Sequence, residues 1–267
     1  MRPRRSLVAA LLVGAAAAGC SSSGTSAATD SMTVIQVVAA ESVWAEVAAQ
    51  LGGSNVHVTT VNSADNASDK KEIAGAQVLI VNGVGLDPWA SQAASANPGI
   101  GRLDVNVGDQ VGVTPGGDPY LFYDPSYVDT AVRQIESDFA QLRPSAAAYF
   151  QQQEQAFEQS SQATDEALAG TIKSRFGGTR IAACNGLASD VATSLGLKPQ
   201  QKIPDSKALI CDSTQSAAAL LQAAASAKIP VVSLSPNLGP AGTTFQQWLT
   251  TQLQQIQQAL ISMNGRA

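Results

Sequence analysis

A chain of 267 residues with 16 Lys and Arg against 21 Asp and Glu carries a formal charge of −5. That balance, with no basic cluster, excludes the electrostatic footprint of a nucleic-acid binder. Hydrophobic residues make up 45% of the chain, enough for one large or two medium domains, and the single histidine, His57, narrows the catalytic pairs and metal sites available.

Residues 1–20 read as a targeting segment. Arg2, Arg4 and Arg5 form a basic start, and Ser6–Ala18 is an apolar run too short to span a bilayer as a mature helix. Ala17-Ala18-Gly19 places small residues just before Cys20, and Ser21-Ser22-Ser23-Gly24 follows, the pattern of a bacterial lipobox. On that reading lipid is attached to the Cys20 sulfur, and the protein is exported and moored to the outer face of the cell membrane. An ordinary secretory leader with an incidental cysteine is the alternative, and it exports the chain equally. Residues 21–32, rich in Ser, Thr, Ala and Gly, read as a flexible tether. Without the three leader arginines the remaining chain stands at about −8. With Cys20 lipidated, Cys184 and Cys211 remain in an oxidising compartment, where a disulfide is expected and two buried free thiols are the alternative.

From Thr33 strands and helices alternate. Val34–Val38 and Val56–Val61 read as strands, with a helix at Glu41–Leu51 between them whose Val43, Trp44, Val47 and Leu51 share one face. A short helix at Asp69–Gly75, capped by Ser68 or Asp69, leads into the strand Ala76–Val81. The run Val78–Val81 is apolar without alternation, as in a strand buried on both faces. Asn82-Gly83 is expected to turn the chain, since both residues tolerate positive φ, and Asp87-Pro88 to supply an N-cap and a first-turn proline. Gly83-x-Gly85 fails the dinucleotide fingerprint, because Pro88 stands where the third glycine belongs. Strand, turn and helix in this order form a βαβαβ series and a mostly parallel sheet, with ligands expected beyond the carboxyl ends of the strands.

Residues 97–125 are loop-rich, and within them Asp118–Asp124 (DPYLFYD) either lines a cleft with its aromatics or plugs the floor of a long loop. A helix at Ser126–Leu142 stops before Pro144, and a second runs from there to about Lys173. At 1.5 Å per residue it would span roughly 45 Å, longer than one compact lobe requires, so it reads as a strut between two lobes. The alternation then resumes: strands at Arg180–Ala183, Ala208–Cys211 and Pro230–Leu234, helices at Leu187–Leu195, Thr214–Ala227 and Thr243–Ser262. The expected organisation is a first α/β lobe over 33–143, a linking helix over 144–176 and a second α/β lobe over 177–267, with a cleft between the lobes.

Several blocks carry a family resemblance. KEIAGAQVLIVNGVGLDPWA, then DPYLFYDP, PSAAAYF, IAACNGLASDVATSLGL, VVSLSP and TTFQQWL resemble, in order and spacing, the zinc- and manganese-type solute-binding proteins of bacterial ABC importers. The resemblance covers nearly the whole chain after the tether. It implies two α/β lobes bridged by one rigid helix, a divalent metal cation carried between them as cargo, a permease and an ATPase as partners, and a monomer. It also implies a ligand set of three histidines, one sometimes a carboxylate, plus an Asp or Glu.

Every matching ligand position departs from that pattern. Asn62–Ser68 contains no histidine, Tyr120 stands where a DPH motif has its histidine, Asn185 replaces the third histidine, and Ser235 replaces the acidic ligand. A phenol, an amide and a hydroxyl are poor ligands for Zn²⁺. His57 lies mid-strand, away from that loop. Oxygen donors remain near strand ends and loops: Asp65, Asp118, Asp124, Glu41 and Asp212, together with Asn62, either a weak hard-cation site or simply solvated side chains. Reduced Cys184 and Cys211 form a further candidate pair.

No HExxH, GxSxG or GxxxxGKS motif is present, and nothing places a nucleophile beside His57, so an enzyme is not expected. The sequence therefore points to a lipid-anchored solute-binding protein of the metal-importer type with weak or lost transition-metal binding. The alternative is an accessory or adhesion-like envelope protein that keeps the scaffold without cargo.

Overall fold

The computed structural model describes residues 34–264 except Ala64 and Ser216. The expected leader, the expected tether over 21–32 and Cys20 all lie outside the described residues.

The first lobe is built from β1 (Ile35–Ala39), α1 (Ser42–Gly52), β2 (Val56–Thr60), α2 (Ala67–Gly75), β3 (Val78–Val81), α3 (Pro88–Ala96) and β4 (Leu103–Asn106), followed by a short α4 (Val107–Val111). Its sheet is fully parallel in the order β2-β1-β3-β4. The two central strands carry the apolar runs, 37–39 in β1 and all of β3, since helices cover both their faces. His57 lies exposed on the edge strand β2, opposite Gln36. β4 falls inside the stretch expected to be loop. Its sequence, LDVN, buries only Val105 and serves as an edge, so no apolar run announces it. The cap of α2 is Asn66, whose side chain accepts from the Asp69 amide at 2.8 Å, in place of Ser68 or Asp69.

α5 (Pro125–Leu142) precedes the connecting helix. That helix begins as a 3₁₀ turn at Pro144–Ala146 and continues as α6 (Ala147–Ser161), a π-turn at Gln162–Glu166 and α7 (Ala167–Phe176). The expected strut is present but carries this π-turn, which its Gln- and Ser-rich sequence does not signal. α6 packs on α1 and α5, whereas α7 and the π-turn pack on α10 (Phe245–Asn264), so each half of the connecting helix serves a different lobe.

The second lobe comprises β5 (Arg180–Ala183), α8 (Gly186–Ser194), β6 (Lys198–Gln200), β7 (Leu209–Asp212), α9 (Ala218–Ala227), β8 (Val231–Leu234) and α10. Its parallel sheet runs β6-β5-β7-β8. β6 escapes a sequence reading because it is three residues long and contains Pro199, tolerated on an edge. α9 starts four residues later than Thr214, because the Asp212 carboxylate holds the Thr214 amide and hydroxyl in a turn, at 2.8 and 2.7 Å.

One hydrophobic cluster runs through both lobes. Its centre is aromatic: Phe122 and Tyr123 meet Trp248 of α10 with ring centroids 5.8 and 5.2 Å apart, and Trp44 of α1 meets Phe122 at 6.2 Å. Edge-on and tilted pairs of this kind add to the area they bury.

Candidate functional site

The carboxyl ends of both sheets face the same region. On the first lobe it is shaped by the turn after β3. Asn82 is fully buried there. Its amide donates to Asp87 Oδ2 at 2.7 Å and the Gly83 amide donates to Asp87 Oδ1 at 2.8 Å. Asp87 occupies the N-cap position of α3 but makes no capping bond; its carboxylate folds back to close the turn. The Asn82 side chain accepts from Trp44 Nε1 at 3.1 Å and donates to the Pro119 carbonyl at 2.7 Å, and so fixes the loop that bears Asp118 and Tyr120. Positive φ occurs at Gly83, Val84 and Gly85, not at Asn82. A Cβ on Gly83 would sit 2.2 Å from Asn106 Oδ1, so backbone freedom and close approach both require glycine there.

The aromatic loop divides its roles. Phe122 and Tyr123 are buried and plug the floor; Tyr120 is half-buried at the opening. Its backbone N–H donates to Asp118 Oδ1 at 2.8 Å. Burial, and then the surrounding carboxylates of Asp212, Asp190, Asp118 and Glu41, push the Tyr120 phenol up, which keeps it neutral. Tyr123 is held neutral more strongly by burial, with its hydroxyl 3.1 Å from the Ser235 carbonyl and 3.0 Å from Gln252 Oε1.

On the second lobe, Asn185 caps α8, accepting from the Ala188 amide at 3.1 Å, and its Nδ2 lies 3.3 Å from Asp212 Oδ2. Asp212 is buried, with its oxygens taken by Asn185 and Thr214. The Ser235 hydroxyl donates to the Asn237 carbonyl at 2.8 Å, and its amide donates to Gln252 Oε1 at 2.7 Å. Tyr120, Asn185 and Asp212 thus occupy one neighbourhood, with Ser235 reached through Tyr123. The other positions lie apart or are committed. Asn62 and Asp65 are exposed on the loop after β2. Asp124 caps α5, accepting from the Ser126 amide at 2.9 Å and its hydroxyl at 2.6 Å. Cys184 and Cys211 are joined by a disulfide, with Cα atoms 4.8 Å apart.

Sequence reasoning missed Asp190. It is half-buried on α8, and its carboxyl shares a hydrogen bond with Asp118 of the first lobe. Burial, then the nearby Asp118 charge, raises Asp190 to about 6. It is the only charge between Ile181 and Leu197, the one sequence signal that marks it. Glu41, at the start of α1, is pushed to about 7 by burial and then by Asp87. The cleft therefore offers neutral donors and acceptors among carboxyls that favour protonation. Among the described residues, no three His, Cys, Asp or Glu side chains are arranged to hold a metal ion.

The family model described as "Zinc-uptake complex component A periplasmic" matches residues 37–241. No curated protein matches the chain in sequence. Among solved structures, the Cd-bound periplasmic metal binding protein from Candidatus Liberibacter asiaticus is similar at 18% identity with a TM-score of 0.70, covering 84% of this chain and 98% of its own. The Mn-bound form of that protein matches at 17% and 0.71 over the same shares. The periplasmic zinc binding protein TroA from Treponema pallidum matches at 18% and 0.69, again over 84% and 98%. At these identities the likeness establishes the fold.

Proposed function

The chain belongs to the family of the periplasmic component A of zinc-uptake complexes, and from that membership we propose a lipid-anchored solute-binding protein of an ABC importer whose transition-metal capture is weakened or lost. The lobes are those of residues 33–143 and 177–267, with 144–176 linking them, and the partners are a permease and an ATPase. The anchor is lipid on Cys20.

One observation carries the reading. The positions matched to the family's ligands hold Tyr120, Asn185 and Ser235, and their polar atoms are kept neutral or spent on local hydrogen bonds. Zn²⁺ prefers imidazole, thiolate or carboxylate, and the only imidazole in the chain is exposed on β2. The chemistry left to the cleft is hydrogen bonding and weak attraction for hard cations.

Thermal unfolding with Zn²⁺, Mn²⁺ and Ca²⁺ tests this, because cargo that binds the folded state raises the midpoint by linkage. Micromolar Zn²⁺ is expected to leave the wild type unmoved, and nanomolar binding by the monomer overturns the reading. Tyr120→His, Asn185→His and Ser235→Asp together are expected to restore a zinc-dependent shift. For the anchor, Cys20→Ser is expected to release the protein from membranes, and continued retention refutes it.

A further inference from the structure

Asp165 is a buried carboxyl that no cation among the described residues faces. It lies in the π-turn of the connecting helix and is 1% exposed. Its Oδ1 accepts from the Thr250 hydroxyl of α10 at 2.5 Å; Thr164 beside it, whose hydroxyl donates to the Ser160 carbonyl at 2.8 Å, also favours the ion, and Oδ2 has no hydrogen-bond partner. The elements packed most closely on the π-turn are α6, α7 and α10. Along α10, from Phe245 to Asn264, there is no ionisable side chain. The cations of α7, Lys173 and Arg175, stand in its last turn, about two turns away. Glu166, the neighbouring residue, is itself an acid that faces Asp129 of α5, and Glu158 of α6 faces Asp129 and pairs with Arg133. The charge that acts on Asp165 is therefore that of Glu166, and it is negative. A buried carboxylate with one oxygen unpaired is costly as an ion and much less so as an acid.

We propose that Asp165 is a proton-operated pin: protonated, it lets the π-turn seat on α10, and ionised, it drives the turn off that helix. π-turns are rare and concentrate at functional positions. Thr250 gives the proton a route, because it lines an open groove of about 380 Å³ together with Ser160, Thr164 and Thr244. The same stretch of α10 carries Trp248, which packs on Phe122 and Tyr123, and Gln252, which holds Tyr123 and Ser235. Displacing the helix at Thr250 therefore acts on the floor of the cleft. Burial raises Asp165 from 3.8 to about 6. The folded state thus holds the proton more tightly than the unfolded chain, so the seat is firmest below the ordinary carboxylate range and loosens as pH rises through about 6.

Amide hydrogen exchange of the mature protein at about pH 5 and pH 7.5 tests the pin. After correction for intrinsic rates, peptides over 160–168 and 246–252 are expected to exchange about tenfold faster at the higher pH. Asp165→Asn, which keeps the shape and removes the titration, is expected to abolish that step. Equal protection at both values in the wild type, or the same step in Asp165→Asn, overturns the proposal. Carboxyl NMR gives a second measurement if Asp165→Asn does not fold. Thr250→Val removes the bond that favours the ion, so it is expected to move the Asp165 midpoint upward and leave that of Asp190 unmoved. An Asp165 carboxyl titrating in the ordinary range defeats the idea.

Discussion

The two lobes solve the same problem by different chemistry. Their sheets have one topology: the second strand, the first, the third and the fourth lie side by side in each. In both, the ends of the first and third strands have to be held where they meet the cleft. The first lobe does this with buried hydrogen bonds, from Asn82 after β3 to Trp44 of α1 and the Pro119 loop, closed by Asp87. The second lobe does it covalently, with Cys184 after β5 bonded to Cys211 of β7. A noncovalent hub depends on every partner being satisfied; a disulfide depends on the oxidising compartment.

Breaking one tether at a time sharpens that contrast. Cys184→Ser with Cys211→Ser opens a loop closed over 27 residues. It is expected to cost about 3.5 kcal/mol by loop-closure entropy, read as a lower urea midpoint; a loss below about 1 kcal/mol would make the bond dispensable. Asn82→Ala strands the Trp44 N–H and the Pro119 carbonyl in the interior, at an expected cost of about 3 kcal/mol. Reductant should deepen the instability of Asn82→Ala and leave that of the double Cys variant unchanged. Additive losses from the two lesions are expected, and strong non-additivity would show that the shared aromatic core couples the lobes.

A gentler perturbation is pH. Each lobe has a carboxyl raised by burial: Glu41 in the first, from 4.5 to about 7, and Asp190 in the second, from 3.8 to about 6. A raised acid binds its proton more tightly in the folded state, so its contribution is complete below the unfolded value and is lost as pH rises through the folded one. Wild-type stability is expected to decline between about pH 4 and pH 7, with Asp190→Asn flattening the part up to about 6 and Glu41→Gln the part up to about 7. Chemical denaturation at several pH values separates the two; a decline unaffected by either variant refutes these assignments. The smallest effect concerns caps. Asn66→Ala is expected to cost about 1 kcal/mol, and Asn185→Ala more, because Asn185 also contacts Asp212.

Much of the frame could be read from the residues in order. β1, β3, β5 and β7 each carry an apolar run, at 37–39, 78–81, 181–183 and 209–211, because helices cover both faces of a parallel sheet, and Pro144 and Gly177 bracket the connecting helix because neither suits a helix interior. The order of these elements gave the βαβ alternation. Edge strands were a different matter. β4 and β6 bury too little of their own surface to pattern their sequence, so only pairing with a neighbour defines them.

The charged groups show the remaining division. The sequence by itself determined that one imidazole exists and that Tyr120, Asn185 and Ser235 carry neutral side chains, since residue identity suffices for both. Only the tertiary structure decided that Asp124 is a cap, that Asp87 closes a turn, that Asp190 meets Asp118 and that Asp165 is buried without a countercharge. A carboxylate's role depends on what surrounds it, and those surroundings are assembled from elements as distant as Asp165 and Thr250 in the chain.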